Sequence, residues 1–102
     1  MYKEYIITKI LAKPTVQIDN NFVKVTEWYF PPNSETGPHT HQMDYVVVPM
    51  TTGELTISDP EGNITKANLI SGQSYSRETG INHNVINNND FEFTFIEIEL
   101  KK

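Results

Sequence analysis

The sequence predicts an all-β protein, a sandwich or a barrel. Short segments rich in Val, Ile, Thr, Tyr and Phe, the residues that suit a half-buried pleated surface, fill most of the chain. Clusters of Gly, Pro, Asn and Asp separate them at close and regular intervals. No window of helical length carries a strong 3.6-residue apolar period.

Taken in order, the first predicted strand is Tyr5–Ile10, with a short peripheral helical turn over Tyr5–Ala12 as the competing reading. Val16–Ile18 and Val23–Phe30 follow, closed by Pro31-Pro32-Asn33. Asp44–Met50 ends at Thr51-Thr52-Gly53, and Glu54–Ser58 ends at Asp59-Pro60-Glu61-Gly62-Asn63. Ile64–Leu69 stops at Ser71-Gly72, Gln73–Arg77 comes next, and Asn82–Ile86 stops at the polar run Asn87–Asp90. The last strand, Phe91–Leu100, changes parity along its length. Phe91, Phe93 and Phe95 lie on one face, whereas Ile96, Ile98 and Leu100 lie on the other. Either a bulge after Phe95 resets the register or the strand passes from one covered face to the other.

A chain of 102 residues holds one domain, here residues 1–102, and can bury a core without covalent staples. The absence of cysteine excludes disulfides, thiolate metal sites and cysteine nucleophiles, and leaves the redox compartment open. A net charge of −5 argues against nucleic acid as a partner, because phosphate binding needs clustered Lys and Arg. No apolar stretch approaches the roughly 20 residues of a spanning helix. The first residues lack the apolar core of a signal peptide, so a cytoplasmic location without membrane contact is expected.

Chemistry concentrates in the three histidines, His39, His41 and His83. Residues i and i+2 of a strand share a face, so His39 and His41 project side by side. With His83 on a facing strand, three imidazoles could converge on one divalent transition metal. A His-x-His pair alone is weak evidence, since most such pairs are solvated loop residues.

The surroundings of the histidines are more specific. Asn33, His39, His41 and Gly53, followed by Gly72, Gly80, His83 and Asn87, resemble the two motifs of the cupin superfamily, G-x5-H-x-H-x3,4-E-x6-G and G-x5-P-x-G-x2-H-x3-N. All three histidines fall on the histidine positions of that pattern. The resemblance implies a double-stranded β-helix (jelly-roll) barrel of the cupin type, a bound metal (Fe, Zn, Ni or Mn) and a homodimer. A weaker likeness, through Asp44-Tyr-Val-Val-Val-Pro, is to small single-domain cupins of beta-alanine degradation.

The departures matter as well. Asn33 stands for the opening glycine, and asparagine is the non-glycine residue that best tolerates a left-handed backbone. Glu78 stands for the motif's proline. No carboxylate occupies the glutamate position, which falls on Tyr45 or Val46. Asp44 is one step short and, under strict alternation, faces away unless a bulge at Gln42–Met43 turns it inward. A three-histidine site is therefore expected, with Asp44 a conditional fourth ligand and water or substrate completing the set.

Outer hydrogen-bond partners for the imidazoles are sought among Glu35, Asp44, Asn82 and Asn84. Met43, Tyr45 and Val47 share the parity of the first pair, and Val85 and Asn87 that of His83, so these are pocket-wall candidates that could equally be core. Arg77 could aim its guanidinium at a carboxylate ligand or pair with a surface acid such as Glu78. Trp28 suits the core or a subunit interface. Uncompensated divalent charge favours a small anionic organic molecule. Oxygenation, isomerisation and decarboxylation all stay open, and the alternative is a non-catalytic small-molecule or metal binding and sensing module.

Overall fold

A computed structural model describes residues 10–101, and every regular element among them is a strand. The strands are β1 (Ile10–Leu11), β2 (Lys13–Asp19), β3 (Val23–Phe30), β4 (Ser34–Glu35), β5 (His39–Thr40) and β6 (Tyr45–Pro49). β7 (Gly53–Ser58), β8 (Ile64–Leu69), β9 (Tyr75–Arg77), β10 (Asn82–Asn87) and β11 (Phe93–Leu100) complete the set. Most of the strand expected at Tyr5–Ile10 lies outside the described residues. Ile10–Leu11 is extended and pairs in parallel with Ser34–Glu35.

Two sheets form. One has the order β1-β4-β10-β7-β8, with β5 also pairing to β10; the other has the order β2-β3-β11-β6-β9. Only β2–β3 and β7–β8 pair as sequence neighbours. The remaining ladders join strands distant in the chain, which is the winding of a double-stranded β-helix. The sheets remain separate ladders and do not close into one hydrogen-bonded cylinder.

The core lies between them. Phe30 and Phe93 are fully buried and pair directly across β3 and β11, and Phe95, Val47, Leu55, Leu69 and Val85 pack around them. Each such side chain contributes roughly 1.5–3 kcal/mol by leaving water. β11 runs in unbroken register against β3 from Phe93↔Phe30 to Leu100↔Val23. No bulge follows Phe95, so the inward parity continues from Phe93 and Phe95 to Glu97, all three buried. Ile96 and Ile98 lie on the outer face beside their cross-strand partners Val48 and Val46, half-buried.

Two backbone details follow from residue type. Asn33 adopts φ +59°, the left-handed conformation expected where a glycine would otherwise stand. Gly53 is needed for space: a Cβ there would meet Phe91 Cζ and Phe93 Cε2 at 3.2 Å.

Candidate metal centre

His39 and His83 come from neighbouring strands of one sheet, and His41 from the segment just after the first of them. His39, on β5, is the direct antiparallel partner of His83 on β10. His41 follows two residues later, where its N–H donates to Ile81 O (2.8 Å) and its carbonyl accepts from Gly80 N (2.8 Å) and Thr79 Oγ1 (3.3 Å). The turn before β10 therefore brackets His41 on both sides. Thr36 Oγ1 donates to Gly37 O and accepts from Val85 N (3.2 Å), while Asn84 Oδ1 accepts the N–H of Gly37 (2.9 Å). These bonds fix the approach to β5.

The side chains converge as expected. Nε2 of His41 lies 3.1 Å from Nε2 of His39 and 3.1 Å from Nε2 of His83. One nitrogen from each ring falls within a group whose members all lie within 4.8 Å of one another. Nitrogens at about 2.0–2.1 Å from a common ion stand roughly 2.8–3.4 Å apart for cis-octahedral to tetrahedral angles, so the spacing around His41 fits a first-row divalent metal. The hydrogen-bond pattern agrees with this. His39 Nδ1 is 2.8 Å from Gly37 O, and a carbonyl can only accept, so the ring proton sits on Nδ1 and the Nε2 lone pair faces the cluster. Burial, reinforced by the neighbouring imidazoles, holds His41 down to about 4. Burial, then His39, then Arg77 does the same for His83, also to about 4. Both rings are thus neutral at physiological pH, the form in which imidazole binds metals.

His41 is the most enclosed of the three. Tyr45 stacks on it with ring centroids 3.9 Å apart and 22° between planes. On its far side the Nδ1 atom lies 3.6 Å from Glu97 Oε2. Glu97 also accepts a hydrogen bond from Trp28 Nε1 (3.2 Å). Burial pushes the Glu97 carboxyl up to about 7, against the opposing pull of the indole N–H. A cavity of about 40 Å³ adjoins the imidazoles, walled chiefly by Val47, Leu55, Ile57, Leu69, Val85 and Phe95, with Glu97 the only acid on its walls.

The other sequence candidates are placed as follows. Tyr45 is buried and lines the cavity. Burial pushes its hydroxyl up to about 12, so it stays protonated. Arg77 stands at the outer mouth beside Asn82 and His83, with its guanidinium 4.6 Å from the Tyr75 ring centre and Nη1 donating to Ser76 O (2.8 Å). Asp44 lies apart from the histidine cluster, its Oδ1 accepting the N–H of Thr79 (2.8 Å). Met43 sits with Asp44 in a separate outer groove and not on the cavity wall. Asn87 is fully buried but ties loops together: its Nδ2 donates to the carbonyls of Phe30, Pro31 and Phe91. Trp28, Thr36, Tyr75 and Glu97 are the cavity-lining polar groups that sequence reading did not assign to the site. The signal for Glu97 was present in the alternation Phe93, Phe95, Glu97, but the competing Ile96–Ile98 parity masked it.

A double-stranded β-helix with three inward imidazoles at the His-x-His and distal-His positions defines a class. The chain belongs to the cupin superfamily. It is 58% identical to a cupin domain from Bordetella pertussis Tohama I, whose crystal structure superposes with a TM-score of 0.90 over 94% of this chain and 99% of that one. More specifically, it is 53% identical over 90 residues to the beta-alanine degradation protein BauB of Pseudomonas aeruginosa, covering 88% of this chain and 94% of BauB. The fold extends much further than the sequence. An RmlC-like cupin with a double-stranded β-helix fold from Methanocaldococcus jannaschii matches with a TM-score of 0.73 at 11% identity, covering 88% of this chain and 80% of that one. No protein-family model matches the sequence. No helix among the described residues is long and apolar enough to cross a membrane.

Proposed function

We propose that His39, His41 and His83 bind one divalent transition metal (Fe, Zn, Ni or Mn) and that the chain acts there on a small anionic organic molecule. The observation that carries this reading is the convergence of three imidazoles with their Nε2 atoms turned together. Three neutral donors leave the ion's charge uncompensated, which favours a carboxylate or oxyanion as the incoming ligand. The apolar cavity of about 40 Å³ suits only a short carbon body. The name of the BauB relative, a beta-alanine degradation protein, agrees with a short organic acid. Oxygenation, isomerisation and decarboxylation are the reaction classes such a site supports. Arg77, at the mouth, would receive an entering carboxylate, and Tyr45 would form the wall behind His41.

Elemental analysis of protein purified without a histidine tag tests the metal: near-stoichiometric transition metal is expected. A site that stays empty after metal supplementation would overturn the reading. His83→Ala should abolish binding while the far-ultraviolet circular dichroism stays that of a β protein. Arg77→Ala should weaken short-chain acids much more than their amides.

A non-catalytic binding module is the second reading, favoured by a cavity wall with a single acid available for proton transfer. Saturable ligand binding without oxygen uptake or product formation would establish it.

For the assembled state we infer a homodimer. The seven residues of β2 are all exposed, Val16 and Ile18 by about half, and Ile10, Leu11 and Phe22 nearby are more than 45% exposed. Ile18, paired with Val25, shares the outer face with the strip of Val46, Val48, Ile96 and Ile98, whereas Val16, paired with the buried Thr26, turns to the other side of this exposed edge strand. Apolar residues left open along an edge suit a second copy.

A further inference from the structure

The family pattern places a glutamate three or four residues beyond its His-x-His pair, and in this chain that position holds Tyr45 or Val46 and no carboxylate. The chain does hold a buried carboxylate against the site, delivered by a different strand. Glu97 projects inward from β11, directly opposite Val47 on β6, and its two oxygens face different partners. Oε1 accepts from the Trp28 indole (3.2 Å), and Oε2 lies 3.6 Å from His41 Nδ1. The His41 ring is also clamped by the Tyr45 stack, and its remaining nitrogen faces His39 and His83.

We infer that Glu97 is a positioning residue for His41: its carboxylate keeps the ring proton on Nδ1, turns the Nε2 lone pair toward the metal position, and supplies the negative charge missing from the first set of ligands. This rests on the reading of the three histidines as a metal site. The physical reason is the division of labour in an imidazole. The hydrogen bond made by one nitrogen decides which nitrogen carries the proton, and a carboxylate behind a metal-bound histidine raises its basicity as a ligand. His39 has the Gly37 carbonyl for this purpose (2.8 Å); Glu97 Oε2 stands in the corresponding place behind His41, 3.6 Å from Nδ1 and just outside hydrogen-bond length. The Trp28 bond adds selectivity. It occupies one carboxylate oxygen and leaves the other for His41, so Glu97 cannot swing away without stranding a half-buried indole N–H.

The substitution Glu97→Gln isolates the effect, because it keeps the shape while leaving one acceptor oxygen where two are needed. Either Trp28 or His41 must then lose its acceptor. Two readouts are taken on the folded protein. Long-range proton–nitrogen correlation spectra of the metal-free protein at pH 8 report the His41 tautomer, and competition against a chelator reports Zn²⁺ and Co²⁺ affinity. Wild type should show the Nδ1–H form of His41, and Glu97→Gln a shift toward Nε2–H with metal affinity lowered roughly 10–100-fold. Glu97→Asp, which retains the charge but withdraws it by one methylene, should give an intermediate loss and serves if the glutamine variant fails to fold. An unchanged tautomer and unchanged affinity in both variants would overturn the inference while leaving the metal site standing. Should wild type bind no metal, yet Glu97→Gln still switch the His41 tautomer, the positioning role stands and the metal reading falls.

Discussion

At the scale of single residues, Asn87 and Glu97 show how one parity rule succeeds and fails. Asn87 continues the inward parity of His83, but its carboxamide closes loops at three carbonyls and also accepts from the N–H of Asn89 (3.0 Å). Truncation would leave several buried acceptors without a donor, each worth about 1–3 kcal/mol. Asn87→Ala should therefore lower the unfolding free energy by about 2–4 kcal/mol in urea titrations, with metal stoichiometry unchanged. The histidine triad was legible in the sequence because two-residue alternation fixes His39 and His41 together, and one antiparallel partner supplies the third. Glu97 was not. Glutamate among isoleucines reads as the solvent face of a strand, and only the unbroken β11–β3 register reveals that the face belongs to the core.

At the scale of elements, the long strands could be read with their ends displaced by a residue or two. β3 and β8 occur as predicted, whereas the fourth predicted strand begins at Tyr45 and not Asp44. The two-residue strands β4 and β5 escaped notice because two residues carry no period, and Gly37-Pro38 between them reads as a turn. β2 extends from Lys13 to Asp19, well beyond Val16–Ile18, and accepts Pro14 because an edge strand can lack a donor. The exposure of its apolar residues gives an element-scale test of the dimer. Val16→Lys combined with Ile18→Lys should leave the circular dichroism unchanged and convert the species in sedimentation velocity from dimer to monomer. A monomeric wild type would dispose of the dimer altogether.

For the whole molecule, the buried titrating groups of the metal-free protein set a pH profile. His41 and His83 are held at about 4 against an ordinary 6.5, so between those values the unfolded chain binds more protons at both positions, and folding stability rises with pH. Glu97 acts in the opposite sense. With its carboxyl near 7 against an ordinary 4.5, the folded chain keeps a proton that the unfolded chain releases, and stability falls across that window. Two imidazoles outweigh one carboxyl, so the urea midpoint should climb from pH 4.5 to 6.5 and then level off to pH 8. A midpoint that falls between pH 4.5 and 6.0 would contradict the burial of the two rings. Saturating metal should steepen the rise, because it binds only the folded, deprotonated site.

The short β5 strand has a consequence for timing. His39 and Thr40 are its only residues, and beyond them the segment is fastened to the turn before β10 by the His41–Ile81 and His41–Gly80 bonds. An ion shared by His39, His41 and His83 would act as a rivet between this weakly laddered flap and a central strand. If the ion leaves by peeling the flap back and not through the mouth beside His83, its off-rate and the opening rate of that segment become one number. In the loaded protein, hydrogen exchange at the amide of His41, under conditions where opening limits exchange, should then run at the rate of metal release, while the amides of β3 and β11 remain protected far longer.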